Sequence, residues 1–440
     1  MSSTQTRTTT PTQRERALQA ISELVAAHGY AQTTVAQIAR QAHISRTAFY
    51  EHFEDKQDCF VAAHLALAER LAGEVRQVVD EGDPGAGAQR AIVALSDFAE
   101  AQPRAFYLLT HEAMLAGPSG WQARDRLIER LKKTIEAAWS RADPERAVPD
   151  MPAQTLLGAA IRLIGVRMRR GERRHMQLRD GLLAWLDAYL APSRARRFAT
   201  LTPCAALCAS EPQATAAPQP LPRGRHRQPA HVTRRVQRER LLYASAEVVR
   251  AQGHVNVSVN EIVRAAGVSR EVFYAHFHDR REALLAVQTL TFERLIGVSA
   301  AAFFNSAVSW PQRIWYGCEA ATRAIAEVPE LAAVTFAESY ALGPQGVRRA
   351  DDSIPAWSTF FEEGRWQRPQ ARDVPALVCE AIFAAALESI VHYIQHGRTG
   401  ELPGLLPLVA HLSLTPYIGS QAAKELIEEN LAAAARAADG

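Results

Sequence analysis

The sequence is short of several things, and each shortage excludes a class of protein. Its five cysteines, at 59, 204, 208, 318 and 379, are odd in number and scattered, so they form no disulfide framework. A reducing compartment fits them. Cys204 and Cys208 could be read as a metal or redox pair, but no His/Cys cluster lies beside them, and two free thiols in a loop is the plainer reading. No run of 18 apolar residues appears, so no membrane span is expected. The Ser/Thr-rich start lacks an apolar core segment, so no signal peptide is expected and the cytoplasm is the expected location. A net charge of +3 is too small for a polycation, so any grip on nucleic acid must come from local clusters. Metal-ligand spacing, a Gly-rich phosphate loop, a nucleophile elbow and paired carboxylates on one helical face are all missing. No enzyme chemistry, metal or cofactor is therefore expected.

What the chain does have is a repeat. The stretch from Arg14 to Phe60 aligns without a gap to the stretch from Arg238 at an offset of 224, with 20 of 47 positions identical. The likeness continues at an offset of 226, where HEAMLAGPSG from His111 echoes AESYALGPQG from Ala337 and Pro103 falls on Pro329. Near the end of each copy, Tyr189 falls on Tyr417. Residues 191–233 hold seven prolines and six arginines against one acid, which reads as a linker. Its basic run is a solvated tether or, alternatively, a non-specific hold on phosphates.

Each copy reads as all-helical, with no sustained period-two alternation and no Asn-Gly or Asp-Gly turn between apolar runs. Leu18, Ile21, Leu24 and Val25 recur at helical spacing until Gly29; Leu242, Val248, Val249 and Gly253 repeat the pattern. A second helix opens on a capping box, Thr34 with Gln37 and Ser258 with Glu261. A tight turn follows, His43-Ile44-Ser45 or Gly267-Val268-Ser269, and Ser45 and Ser269 are placed to cap a third helix. Asp279 with Glu282 predicts a further capping box. Two short helices joined by a tight turn is the helix-turn-helix plan, whose second helix enters the DNA major groove by its N-terminus.

The runs FYEHFEDK and FYAHFHDR, with the helices before them, resemble the tetracycline-repressor (TetR) family, and they do so twice. The resemblance implies an all-α fold of two tandem units. Each would have a three-helix DNA-binding head and a helical effector-binding and dimerisation domain. The expected division is a tail at 1–11, a first head at 12–58, a first helical domain at 59–190, the linker at 191–233, a second head at 234–284, a second helical domain at 285–419 and a C-terminal helix at 420–440.

The resemblance marks Arg46 and Arg270 as base or phosphate contacts and Tyr50 and Tyr274 as backbone contacts. It gives His52 and His276 a phosphate contact or a role supporting the turn, and Lys56 and Arg280 a phosphate clamp. Thr34 and Ser258 cap and can also touch phosphate, as can Ser45 and Ser269. Thr47 and Glu271 differ, so the two heads are expected to prefer unlike half-sites, a Thr meeting a thymine methyl and a Glu accepting from cytosine. Phe49, Phe53, Phe273 and Phe277 read as core. His43 stands where the family has glycine; histidine tolerates positive φ, so an intact turn is expected. Net charge is zero over residues 12–57 and +3 over 234–285, so the second head should hold DNA more strongly.

For an effector pocket the aromatic candidates are Tyr107, His111, Trp121 and Trp139 in the first copy. In the second they are Trp315, Phe336, Tyr340, Trp357 and Phe360. The dimerisation helices are expected at 155–168 with 178–190, and at 376–394 with 405–414. The sequence thus predicts a regulator that binds double-stranded operator DNA and a small-molecule effector, as a single-chain pseudo-dimer with heads roughly 34–36 Å apart or as a homodimer of tandem chains. The alternative is a protein-interaction scaffold whose heads no longer bind DNA.

Overall fold

The computed structural model describes residues 11–172, 175–208, 218–219, 229–252, 257–304, 307–338 and 342–439. In chain order the helices are α1 (Gln13–His28), α2 (Val35–Gln41), α3 (Arg46–His52), α4 (Lys56–Asp80), α5 (Gly87–Ala101), α6 (Pro103–Tyr107), α7 (Ala113–Leu115), α8 (Pro118–Arg141), α9 (Ala153–Arg169), α10 (His175–Asp187) and α11 (Ala205–Cys208). The second copy supplies α12 (Ala230–Gln252), α13 (Val259–Ala266), α14 (Arg270–His276), α15 (Arg280–Phe304), α16 (Trp310–Ala326), α17 (Pro329–Ala332), α18 (Gly343–Ala356), α19 (Ala376–Gln395), α20 (Leu406–Ile418) and α21 (Ser420–Asp439). A single turn of π-helix follows α6 at Leu108–Glu112 and α17 at Ala333–Ala337. The chain forms two compact units, Met1–Ala142 with Ile164–Arg179, and Asp143–Leu163 with Asp180–Gly440.

In the first unit, α1 starts on a capping box of Thr12 and Glu15 and ends at Gly29, whose φ of 82 stops the helix. Ile21, Val25, Ile38, Phe49, Phe53 and Phe60 close the head's core, and Leu108, Ala113 and Ala116 of the helical domain join it. Burying each of the larger of these side chains contributes roughly 1.5–3 kcal/mol. The second unit repeats this design with Leu242, Val249, Ile262, Phe273 and Phe277, joined by Val328, Leu331, Val334 and Leu342.

The second unit also holds α19 and α20 together with the first part of α9 and the last part of α10. Thr155 of α9 hydrogen-bonds Ser389 of α19 at 3.0 Å, Gln154 bonds His392 at 2.8 Å, and Tyr189, just past α10, donates its hydroxyl to the Leu412 carbonyl of α20 at 2.6 Å.

One sequence expectation needs correction. Residues 191–208 are not a free tether. The Asp150 carboxylate accepts the backbone N–H groups of Arg197 and Phe198, both at 2.8 Å, Phe198 stacks on His411 at 4.1 Å, and Leu207 is buried. Helix α12 begins at Ala230, four residues before the expected start of the second head at 234. A short antiparallel pair, β1 (Ala147–Pro149) with β2 (Leu190–Pro192), is too brief to show alternation in sequence. In addition, Arg280–Phe304 and Ala376–Gln395 are long and apolar enough to cross a membrane by length and composition. Fourteen of the twenty residues of α19 are buried against neighbouring helices, which gives its apolar run a role as a core helix.

The last helix is an added contact. Its Ala423 and Ile427 are buried, and Lys424 Nζ pairs with the buried Asp150 carboxylate at 2.7 Å.

Candidate nucleic-acid interface

Local chemistry builds each reading helix. Ser45 accepts the Ala48 N–H at 2.9 Å and Ser269 accepts that of Val272 at 3.2 Å, so α3 and α14 start on a capped turn. Thr34 and Ser258 form full capping boxes on α2 and α13. At Asp279 the side chain accepts the Glu282 N–H at 2.8 Å, but Glu282 reaches back to the N–H of His278 rather than of Asp279. The turn before each reading helix is left-handed, with φ 52 at His43 and φ 64 at Gly267. His43 is the one non-glycine residue with positive φ among those described. A side chain in that region is disfavoured by roughly 1–2 kcal/mol. Because glycine also raises unfolded-chain entropy, His43→Gly should stabilise the first unit by only about 0.5–1 kcal/mol. A lowered urea midpoint in that variant would show that the imidazole holds the turn instead.

The turn is tied down from outside as well. Arg16 Nε donates to the Ala42 carbonyl at 2.9 Å, and its repeat counterpart Arg240 donates to the Ala266 carbonyl at 2.9 Å. Sequence reasoning missed this pair, although Arg16 and Arg240 are identical positions in the repeat.

With the phenylalanines turned inward, the polar side of each reading helix is free. Arg46, Thr47, Tyr50 and His52 are exposed, as are Arg270, Glu271 and Tyr274. Tyr50 is 57% exposed and Tyr274 48%, too open for a packing role. The Tyr rings stand edge-on to Phe49 and Phe273 at 5.4 Å, which fixes their direction. His276 is half-buried, and its pKa is lowered by burial and by the charges of Arg238 and Arg234.

The two clamp residues are partly occupied. Lys56 donates to the Tyr30 carbonyl at 2.9 Å and lies 4.0 Å from that ring's centre, and burial lowers its pKa. Arg280 donates to the Val257 carbonyl. Each cation thus ties a residue of the segment before the second helix to the start of the fourth. The second head adds exposed Arg234, Arg235 and Arg238 on α12.

Each head is wired to its helical domain in the same way. Gln57 Nε2 donates to the Ala116 carbonyl at 2.7 Å, and Arg281 Nε to the Leu342 carbonyl at 3.0 Å. In the first unit the buried Glu112 carboxylate also accepts the Tyr30 N–H at 2.7 Å.

Within the second unit lies an apolar cavity of about 90 Å³ between α15, α16, α19 and α20, with Phe336, Trp357 and Phe360 in its wall. Trp315 is buried but stands outside the lining, and Tyr340 falls outside the described residues. Sequence reasoning missed Phe292, Phe303 and Phe383 and the polar groups Ser299, Cys318, Thr322 and Ser413, because no periodicity singles out one wall of an apolar core. Ser299 Oγ and Trp357 Nε1 are buried there without a hydrogen-bond partner. In the first copy Tyr107 stacks on His111 at 4.4 Å, Trp139 is buried, and Trp121 is half-buried with the Arg124 guanidinium 5.9 Å from its ring. Burial pushes His111 down to about 3. Among the described residues no group of three or more His, Cys, Asp or Glu could hold a metal ion.

Comparison with known proteins agrees with the repeat. The profile of the tetR family of bacterial regulatory proteins matches twice, over residues 17–63 and 241–287. The nucleoid occlusion factor SlmA of Marinomonas sp. (strain MWYL1) is 27% identical over 154 residues, a match spanning 34% of this chain and 78% of that protein. SlmA of Vibrio cholerae is 28% identical over 127 residues, spanning 28% of this chain and 64% of its own length. Among solved structures, a tetR-family regulator from Shewanella sp. PV-4 is 20% identical with a TM-score of 0.34, covering 41% of this chain and all of that one. The fatty acid degradation regulator FadR from Bacillus halodurans is 13% identical with a TM-score of 0.34, covering 40% of this chain and 96% of that one.

Proposed function

From the premise that this chain is a transcriptional regulator carrying two tetR-family DNA-binding domains, we propose that it is a ligand-responsive repressor built as a single-chain pseudo-dimer in the cytoplasm. Arg46, Thr47, Tyr50, His52 and Lys56, capped by Thr34 and Ser45, are read as one DNA-contacting surface. Arg270, Glu271, Tyr274, His276 and Arg280, capped by Ser258 and Ser269, are read as the other. The hydrogen bonds joining α9 and Tyr189 to α19 and α20 support intramolecular pairing of the two copies.

The observation that carries ligand response is the π-helical turn Ala333–Ala337. Its Val334 packs in the core of the second head while its Phe336 lines the cavity. A ligand that displaces Phe336 would therefore press on the same turn that sets Val334 into the head's own core.

Among the described residues no charged side chain lines the cavity, so a carboxylate would be left unpaired in an apolar site. The free donors of Ser299 and Trp357 suit one acceptor oxygen. The ligand is thus a compact, uncharged, mainly hydrocarbon molecule with a carbonyl or ether oxygen. Cyclohexanone should bind, cyclohexane more weakly, and cyclohexanecarboxylate at least about 100-fold more weakly than the ketone. Calorimetry checks this order. Ser299→Ala should narrow the ketone's advantage over the hydrocarbon by roughly 5–10-fold. Equal binding of the carboxylate would contradict the assignment.

DNA titrations at two salt concentrations test the regulator reading itself. Sequence-selective binding that falls steeply with salt is expected. Salt-independent or absent binding would favour the protein-interaction scaffold.

A further inference from the structure

The seam between α9 and α19 contains a buried ion pair, Arg162 Nε to Glu388 Oε1 at 2.7 Å, with both side chains under a tenth exposed. The partners are 226 positions apart, the offset that relates Pro103 to Pro329. At that same offset Ala159, Ala160 and Ile164 fall on Ala385, Ala386 and Ile390. Arg162 and Glu388 are therefore one position of the repeat, written once as a base and once as an acid, and each faces its own counterpart.

In a symmetric dimer a residue on the two-fold axis meets itself. Here that position has been made unlike itself. We infer that Arg162 and Glu388 form a charge lock that pairs the first copy only with the second. Two first copies would bury Arg162 against Arg162, and two second copies Glu388 against Glu388. A buried pair adds little net stability over an apolar one, but a buried like-charge or unpaired contact is strongly unfavourable. The lock thus acts mainly by excluding wrong pairings. Its seat is unlike on the two sides as well. A Cβ on Gly158, one turn before Arg162, would come within 2.8 Å of the Glu388 side chain, whereas the counterpart of Gly158 is Ala384. The Thr155–Ser389 and Gln154–His392 bonds continue the heterotypic seam.

This inference rests on the pseudo-dimer reading, and full-length chains separate the two. Wild-type protein should scatter light as one 48.3 kDa chain; twice that mass would remove the pseudo-dimer reading, whatever the lock does. R162E and E388R should each melt about 10 °C lower, and the double reversal R162E/E388R should recover at least half of that loss. Coexpressed with different tags, the R162E and E388R chains should co-purify one to one at twice the chain mass. There the new acid of one chain meets the new base of the other, and Arg162 of the second meets Glu388 of the first. Should either single variant be insoluble, recovery of soluble protein on coexpression or in the double reversal reads the same complementarity. The lock is overturned by single reversals that melt like wild type. It is equally overturned if neither the double reversal nor coexpression restores what the single reversals lose.

Discussion

Replacing Arg46 and Arg270 together with alanine is expected to lower affinity for a selected DNA site on the order of 10²–10⁴-fold while leaving the fold intact. Both arginines stand exposed at the N-terminal end of a capped helix, the end that on the proposed function would meet guanine acceptors in the major groove or backbone phosphate. A bidentate contact of this kind contributes roughly 1–3 kcal/mol, and losses in two independent domains should add. The single variants should differ. The second head has a net charge of +3 over residues 234–285 against zero over 12–57, and α12 adds exposed Arg234, Arg235 and Arg238. Arg270→Ala should therefore cost more than Arg46→Ala. Equal losses, measured by fluorescence anisotropy at fixed salt, would contradict the asymmetry. A salt slope lowered by about one per lost phosphate contact would identify which arginine meets backbone rather than base.

Acidification should unfold the first unit well before a chain of this composition would ordinarily yield. His64 and His111 are buried in it, and burial pushes His64 down to about 4 and His111 down to about 3, with nearby Arg124 and Arg169 adding to the respective shifts. In the unfolded chain both return to the ordinary histidine value near 6.5. Between that value and their folded pKa the unfolded state binds more protons, so stability is full at neutral pH and falls as pH drops. At pH 5 each histidine costs about 2 kcal/mol, or about 4 kcal/mol for the unit. Glu112 acts in the opposite sense: burial raises its pKa, so its protonation in the folded state returns part of the loss. His411, pushed down to about 4 by burial, gives the second unit the same kind of sensitivity. His64→Gln supplies the control, since the repeat itself places Gln288 at that position, where its Nε2 donates to the Gly346 carbonyl at 3.1 Å. The variant should keep its neutral-pH urea midpoint and lose about half of the midpoint shift between pH 7 and pH 5. An unchanged shift would mean that His64 is not among the groups that titrate on unfolding.

The heads were legible almost residue by residue because their signals are local. Thr34, Ser45, Ser258 and Ser269 cap helices within three residues of themselves, and the positive φ at His43 follows from one turn. The apolar runs that became α9, α10, α19 and α20 were visible for the same reason. What escaped depends on partners far away in sequence. Nothing near Asp150 reveals that it will anchor residues 197 and 198 and pair with Lys424. Arg162 and Glu388 lie 226 positions apart in otherwise apolar helices, and nothing close to either in sequence shows that they meet. The cavity was legible in part: Phe336, Trp357 and Phe360 line it, but Trp315, also aromatic and also buried, stands outside the lining. Burial can be inferred from pattern, whereas which buried side chain borders a void depends on how four helices pack.

The most direct test of the account is selection of bound sequences from a random DNA pool by the full-length protein, followed by footprinting. Thr47 and Glu271 occupy the same place in unlike heads, so the enriched site should be asymmetric, with two different half-sites protected together. A palindrome, or no enriched sequence at all, would contradict a regulator that reads DNA with two unlike heads in one chain.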